Sequence, residues 1–258
     1  MVKVTGGGKL RDLEAHHRLA FAHEFRLARA QALRDAEAFE QFLFALERLG
    51  SFVTRRQRHL GYYKTALDGI AAHSPLHTRA AEKFPESHLN FDVLYEEARI
   101  ARNDAMHQGA AARNLARHAQ ELALIMEDAL MTSARTAGDF MVPNPVCADL
   151  WQPLSAIRRT LLINAFSFLP FSAKSSGWRL ISDQSLVKFL RGTKGERDDR
   201  LLMTLDEALG CGLRATTPTT CGLADPLLAV VGKLNDKPCL VLSKDKKLVG
   251  IITGFDLL

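Results

Sequence analysis

An arginine and a histidine five residues apart form the pair in this sequence that is best suited to chemistry. They enclose the segment Arg102–His107, which reads Arg-Asn-Asp-Ala-Met-His. A histidine exchanges its proton near neutral pH, and an arginine offers fixed N–H donors and a permanent positive charge. These groups suit metal-free RNA cleavage, in which the ribose 2′-hydroxyl attacks the adjacent phosphorus. The segment predicts a catalytic site of Arg102, His107 and Asn103 that needs no metal ion and no cofactor.

Helical geometry limits what this segment does within one chain. In a single helix, Arg102 and His107 lie about 140° apart after a full turn, whereas Asn103 and His107 share a face. The pair is therefore expected to act chiefly as half of a catalytic site that two chains share. A structural alternative stays open, in which Arg102 pairs with Glu97 or Asp104 and His107 is an ordinary helix-end histidine.

The elements that carry this segment are predicted to be helices. Residues 10–135 are rich in Ala, Leu, Arg, Glu and Gln, and their apolar residues recur at three- and four-residue steps. Residues 1–9 contain a glycine triplet and are predicted to be a flexible tail. Gly50 is predicted to end a helix that begins near Ala38. The other long helices are predicted over residues 60–72, 91–106 and 110–131.

The composition changes from residue 140 onward, where prolines become frequent and short apolar runs alternate with short helices. Pro145 and Pro153 recur at equal spacing as Pro218 and Pro226, which indicates an internal repeat. Each copy is predicted to contain a helix opened by its second proline, then two strands and a closing helix. A charged linker over residues 191–200 and a helix over residues 199–210 are predicted between the copies. The fold class is therefore multidomain, with an all-α part followed by an α/β part.

The helical part resembles the higher eukaryotes and prokaryotes nucleotide-binding (HEPN) superfamily over about residues 10–133. Ribonucleases of that family carry Arg, a polar residue that is often Asn, three further residues and His, as Arg102–His107 does. The resemblance implies a homodimer in which two motifs meet at one groove, with RNA as substrate. Arg113 and Arg117 are four residues apart on the following helix and are predicted to contact RNA phosphates, although solvated surface is the simpler interpretation of each.

The C-terminal part resembles a tandem cystathionine-beta-synthase (CBS) domain module over residues 140–258, with repeats at about 140–191 and 204–258. The match is closest in the segment from Leu248 to Leu257. This resemblance implies clefts for an adenine nucleotide such as AMP, ADP or ATP. It places Asp256 on the ribose and Thr253 near phosphate, although the same two residues fit a helix capping box.

The remaining predicted nucleotide-binding residues follow from the same resemblance. Ser182 and Ser185 match Thr253 and Asp256 in the first copy, so the carboxylate is missing there and that cleft is predicted to be degenerate. The residues expected to line the Asp256 cleft are Val142, Pro143 and Val146. Those expected to line the weaker cleft, together with Ser182, are Ala215, Thr216 and Thr217.

Composition and charge agree with these expectations without deciding them. The chain of 258 residues has a net charge of +5, which suits a polyanionic partner such as RNA, although many basic proteins bind none. Four irregularly spaced cysteines predict free buried thiols in a reducing cytoplasm. No apolar run is long enough to span a membrane, and no membrane partner is expected.

Two functional hypotheses follow from the sequence. The first is a cytoplasmic endoribonuclease, with a toxin or phage-defence role, whose dimeric site is regulated by adenine nucleotide binding to the C-terminal part. The alternative is a non-catalytic nucleotide-sensing or RNA-binding protein, in which the helical part serves dimerisation or docking to a partner.

Overall fold

The computed structural model describes residues 10–34, 40–105, 112–173 and 177–258. Its contacts divide the chain into two compact units, Met1–Ala134 and Arg135–Leu258. The described part of the first unit is helical, and the second unit mixes short helices with strands.

Long helices make up most of the N-terminal unit. Helix α2 shows why they form, because its buried residues Phe42, Leu46, Leu49 and Val53 recur at the three- and four-residue steps that line one helix face. A π-helical turn over Leu76–Ala80 precedes the short α4. The helices are α1 (Ala15–Arg34), α2 (Glu40–Thr54), α3 (Leu60–Ala71), α4 (Ala81–Lys83), α5 (Phe91–Ala105) and α6 (Ala112–Met131).

Gly50 does not end α2, so the predicted break at this residue is wrong. The helix continues to Thr54, and Gly50 is buried within it. A Cβ atom at this position would lie 2.3 Å from Cγ of Tyr63 on α3. Gly50 therefore allows two helices to approach closely, a packing role that the sequence alone did not separate from a stop signal.

The core of the N-terminal unit is one continuous cluster to which α1, α2, α3, α5 and α6 all contribute. Phe25, Leu67, Phe91 and Leu122 are fully buried in it. Glu127 on α6 is also buried, and it accepts two hydrogen bonds from the guanidinium of Arg29 on α1, at 2.8 and 3.1 Å. This paired charge links α1 to α6 beside the apolar core.

The C-terminal unit contains two copies of a similar arrangement. Pro153 and Pro226 precede α8 and α12, which confirms that each copy has a helix opened by a proline. The helices are α7 (Ala137–Phe140), α8 (Leu154–Asn164), α9 (Asp183–Phe189), α10 (Lys194–Leu202), α11 (Leu205–Gly210) and α12 (Leu227–Val231), followed by a 3-10 turn at Gly254–Leu257. The strands are β1 (Val142–Pro143), β2 (Phe168–Ala173), β3 (Gly177–Ser182), β4 (Thr219–Gly222), β5 (Cys239–Leu242) and β6 (Leu248–Ile252).

The two copies exchange their edge segments. The larger sheet has the order β1-β6-β5-β4, in which β1 from the first copy pairs antiparallel with β6 of the second. In return, Thr216 of the second copy forms an antiparallel bridge with Leu180 on β3 of the first copy. The far sides also correspond, because β4 is parallel to β5 and Ala148 forms a parallel bridge with Phe171 on β2. Each copy therefore depends on the other to complete its sheet.

The predicted charged linker between the copies is wrong. Residues 194–202 form α10, and a separate helix, α11, follows after a break at Met203 and Thr204. Each helix begins with a capping box, in which a threonine and a glutamate three residues later exchange hydrogen bonds with each other's backbone N–H groups. Thr193 with Glu196 and Thr204 with Glu207 form these boxes, so the signal for two helices was present in the sequence.

The cysteines are free thiols, as expected, but their burial differs. Cys221 and Cys239 are buried on neighbouring strands, Cys147 is half-buried and Cys211 is exposed, so a buried default does not hold for all four. Among the described residues, none of the helices combines the length and apolar character needed to cross a bilayer.

Candidate functional sites

The predicted catalytic segment lies where α5 ends. Arg102 and Asn103 belong to the final turn of α5, but their side chains lie outside the part of the chain that is described. His107 lies wholly outside the described residues, between α5 and α6. The structure therefore shows that Arg102 and Asn103 are helical. That Arg102 and His107 act together stays a prediction.

A second charged group joins the same two helices. His118 on α6 forms an ion pair through Nδ1 with Glu97 on α5. On its other side, Nε2 of His118 lies 3.2 Å from a terminal nitrogen of Arg117.

These contacts bear on two of the sequence predictions. Glu97, one alternative partner of Arg102, is paired with His118, a histidine in which the sequence showed no usable pattern. The predicted RNA contact Arg117 is 69% exposed and lies 3.9 Å from Glu121, so it is accessible to a phosphate. Arg113 lies on α6, but its side chain is outside the described region.

In the first copy of the C-terminal unit, Ser182 and Ser185 form a capping box at the start of α9. The hydroxyl of Ser182 accepts from the N–H of Ser185 at 3.0 Å, and the hydroxyl of Ser185 accepts from the N–H of Ser182 at 3.2 Å. Ser182 immediately follows Ile181 at the end of β3. The hydroxyl of Ser182 therefore already serves as the N-cap acceptor of α9, at the point where β3 ends.

The segment Ala215–Thr217, which was predicted to line the weaker cleft, lies beside β3. Thr216 and Leu180 exchange two backbone hydrogen bonds of 2.9 Å. Arg179 donates to the Thr217 hydroxyl at 2.8 Å and to the Ala215 carbonyl at 3.3 Å. The guanidinium of Arg179 is thereby held close to all three predicted residues.

A groove of about 530 Å³ opens at this place. Two arginines, Arg179 and Arg214, contribute positive charge, and the buried Phe171 and Leu213 are among its apolar residues. The hydroxyl oxygen of Thr216 is buried and has no hydrogen-bond partner in the described part of the chain. Such an oxygen is stabilised by a ligand that brings a donor or acceptor to it. The residues that line the groove are Phe171, Ala173, Arg179, Leu209, Leu213, Arg214, Ala215 and Thr216.

The missing carboxylate at Ser185 predicted a degenerate cleft here. Two arginines near the cleft indicate the opposite, because Arg214 directly precedes the predicted lining residues and Arg179 lies on the strand that leads to Ser182. A basic residue beside a predicted phosphate position was the available signal.

In the second copy, Thr253 and Asp256 form the capping box that was the structural alternative for them. One carboxylate oxygen of Asp256 accepts from the Thr253 N–H at 2.7 Å and from its hydroxyl at 2.8 Å. This carboxylate oxygen already accepts the hydrogen bonds of the 3-10 turn. Binding of a ribose by Asp256 stays a prediction.

Two of the residues predicted to line the Asp256 cleft lie beside the strand that leads to Thr253. Val142 and Pro143 pair with Ile251 and Gly250 on β6, the strand that leads to Thr253. Val146 is 47% exposed. The backbone thus brings the first-copy segment to the second-copy strand, while its role in lining a cleft stays a prediction.

No protein-family model matches the sequence, and no curated protein matches it significantly. Several of the solved structures that resemble it are CBS-domain proteins. A CBS domain-containing protein of unknown function from Bacillus anthracis is 16% identical, covers 47% of this chain and 88% of its own, and has a TM-score of 0.39. The CBS-pair protein CBSX2 from Arabidopsis thaliana is 19% identical, covers 47% of this chain and 90% of its own, and has a TM-score of 0.39.

A structure of CBSX2 in complex with AMP is 17% identical, covers 47% of this chain and 92% of its own, and has a TM-score of 0.37. At TM-scores of this size the likeness decides neither the family nor the ligand of this chain. The interpretation of the C-terminal unit therefore depends on its own exchanged edge segments and on the groove at Arg179 and Arg214.

Proposed function

We propose that the C-terminal unit is a tandem CBS module that binds an adenine nucleotide in the groove beside β3. The groove carries this proposal, since it combines two guanidinium groups, which pair well with phosphate, with an apolar wall suited to a base. The buried hydroxyl of Thr216 adds a polar group that a ribose or phosphate oxygen would satisfy.

Calorimetry with AMP, ADP and ATP on the full chain tests this proposal. Arg214→Ala removes a charge from the groove and is expected to weaken binding at least about tenfold, because a charge-assisted hydrogen bond contributes about 1.5–3 kcal/mol. Arg158→Ala, an exposed arginine of α8 that does not line the groove, serves as the matched control. Equal nucleotide affinity in wild type and Arg214→Ala would contradict the proposed site.

The Asp256 site is separated from the groove by a further substitution. Asp256→Asn keeps the side-chain volume and removes the carboxylate charge. If Asp256→Asn lowers the stoichiometry while Arg214→Ala lowers affinity at the remaining site, both clefts bind nucleotide. If only Arg214→Ala has an effect, Asp256 serves the turn alone.

For the helical unit, we propose metal-independent endoribonuclease activity that nucleotide binding controls. The support is the Arg102–His107 sequence at the end of α5, together with the exposed Arg117 on α6. Nucleotide binding regulates cleavage only if it favours one of two states of the protein.

RNA cleavage in the presence of a chelator tests this activity. Arg102→Ala and His107→Ala are each expected to abolish cleavage, while the exposed His88→Ala is expected to leave it unchanged. Absence of cleavage by the wild type over a panel of RNAs, with and without nucleotide, would instead favour the non-catalytic sensor.

Mixing the two inactive variants tests the homodimeric site. If Arg102 of one chain acts with His107 of the other, mixed dimers contain one intact site, and up to about one quarter of wild-type activity returns. If both residues act within one chain, or if one groove needs both residues from both chains, mixing restores nothing. Light scattering of the wild type gives the oligomeric state independently.

A further inference from the structure

The first turn of α1 brings three possible metal ligands together. Glu14 immediately precedes the helix, and His16 and His17 follow in its first turn. One ligand atom from each residue lies within 4.8 Å of those of the other two. Nδ1 of His16 lies 3.4 Å from a carboxylate oxygen of Glu14. The sequence showed two adjacent histidines here but no pattern that linked them to a third ligand.

His17 is held in place by packing. Its ring lies 3.8 Å from the His16 ring and 4.6 Å from the ring of Phe52 on α2, measured between centroids. Nδ1 of His17 is buried, and no hydrogen-bond partner for it exists within the described residues. A buried imidazole nitrogen without a partner costs free energy, which a metal ion or a donor would recover.

We propose that Glu14, His16 and His17 bind one divalent transition-metal ion of the zinc type. Two imidazole nitrogens and one carboxylate oxygen form a ligand set that zinc accepts, with further positions left for water. Ligand atoms around tetrahedral zinc lie about 3.4 Å apart, given bonds of about 2.1 Å. Glu14 and His16 are 71% and 69% exposed, so both side chains are free to rotate toward this spacing.

The charge around the cluster limits its affinity but leaves the ligand set intact. The guanidinium of Arg11 lies 4.3 Å from the ring centroid of Phe52, the ring that contacts His17. The neighbouring Arg18 donates to the carbonyl of Leu13 and adds a second positive charge. The carboxylate of Glu14 offsets one of these charges. Neutral imidazole ligands tolerate nearby cations better than a purely acidic site would, and they favour zinc over magnesium.

Binding of zinc chloride to the full chain tests the proposal after bound metal has been removed with a chelator. Calorimetry under reducing conditions is expected to show a binding event that His16→Ala and Glu14→Gln each weaken at least about tenfold. The exposed His88→Ala serves as a control, and magnesium chloride is expected to give no comparable event. The cysteines are present in every variant, so any zinc that thiols bind is common to all titrations.

His17→Ala also removes the contact with Phe52, so its effect is interpreted with a parallel measurement of thermal unfolding. The two exposed substitutions, His16→Ala and Glu14→Gln, decide the outcome if His17→Ala fails to fold. Unchanged zinc affinity in both would overturn the proposal and leave an ordinary ion pair between Glu14 and His16. The result is separate from the ribonuclease proposal, because RNA cleavage is assayed with a chelator present.

Discussion

The two units differ in the interactions that stabilise each of them internally. The N-terminal unit has one continuous core beside a buried pair between Arg29 and Glu127. The C-terminal unit has two smaller cores, each of which also takes residues from the other copy, such as Leu205 in the first and Met141 in the second, and its copies are linked by exchanged edge segments. A single defect in the first unit therefore acts on its whole core, whereas a defect in the second unit acts on one of two smaller cores.

Natural probes distinguish the units. Both tryptophans, Trp151 and Trp178, belong to the C-terminal unit, and all three tyrosines, at positions 62, 63 and 95, belong to the N-terminal unit. Tryptophan fluorescence therefore reports unfolding of the C-terminal unit alone. Far-ultraviolet circular dichroism is dominated by the long helices of the N-terminal unit.

Glu127→Ala is expected to have the largest effect. It removes the carboxylate that pairs with the largely buried guanidinium of Arg29, and removal of one partner of a buried pair costs about 3 kcal/mol. Urea unfolding followed by circular dichroism should show this loss, while the tryptophan transition should not move. Lys64→Ala, which removes the more exposed pairs with Asp92 and Glu96, is the control and should cost about 1 kcal/mol or less.

The same substitution at two glycines compares packing in the two units. In Gly50→Ala the new Cβ meets the rigid ring of Tyr63, and in Gly250→Ala it meets Met141, each at 2.3 Å. Overpacking of this kind costs about 1–3 kcal/mol, and the two losses should be comparable, because the new Cβ also lies 2.7 Å from Cβ of Tyr63 or 2.9 Å from Cβ of Met141, which side-chain rotation does not move. Each loss should appear only with the probe for its own unit.

Gly195→Ala is the matched control for both. It lies within α10, and a Cβ there meets no atom within 4 Å. Alanine at such a position should stabilise the C-terminal unit by about 0.4–1 kcal/mol. A destabilisation comparable to that of Gly250→Ala would mean that space at the glycine does not explain these effects.

Removal of a helix cap should have a smaller effect. Thr204→Ala breaks the capping box with Glu207 and should cost about 1 kcal/mol, measured by tryptophan fluorescence in urea. The bridge between Thr204 and Pro153 is made by backbone hydrogen bonds, which alanine retains, so the loss should match that of Thr193→Ala at the start of α10. A clearly larger loss for Thr204→Ala would show that its side chain does more than cap α11.

The smallest effect should be a dependence on pH in the N-terminal unit. Burial lowers the pKa of His23 below its ordinary value of 6.5, and the positive charge of Arg26 lowers it further, although Glu127 opposes this. Below pH 6.5 the unfolded chain therefore binds a proton that the folded protein resists, so stability falls as the pH decreases through this range. Unfolding measured by circular dichroism at about pH 8 and about pH 5 should show a smaller fall for His23→Gln than for wild type. Identical falls would contradict the assignment.

The sequence predicted elements better than it predicted contacts. Helices α3, α5 and α6 and the repeat around Pro153 and Pro226 follow from periodicity and proline spacing, which are local signals. Gly50 was misjudged because a glycine that permits close packing looks the same as a glycine that ends a helix. Residues 194–202 were assigned to a linker because their charge outweighed the capping signal at Thr193.

The candidate sites show the same limit. The Val142 segment, which was predicted only to line the Asp256 cleft, pairs in the sheet with the second copy. Three features depend on which side chains meet across different helices and strands. They are the ion pair of His118 with Glu97, the two arginines beside β3 and the cluster at His17. A single sequence does not specify such meetings, because they are set by the packing of distant segments.

The exchange of edge segments also sets an order of events when the chain folds. Val142 must wait for Ile251, on the last strand of the second copy, before the larger sheet gains its edge strand β1. Closing so long a loop is entropically costly, and contacts distant in sequence form slowly. Helices α2 and α3, by contrast, are neighbours in the chain and pack early. Recovery of the tryptophan signal should therefore lag behind the earliest gain of helical ellipticity, to which helices that are neighbours in the chain contribute.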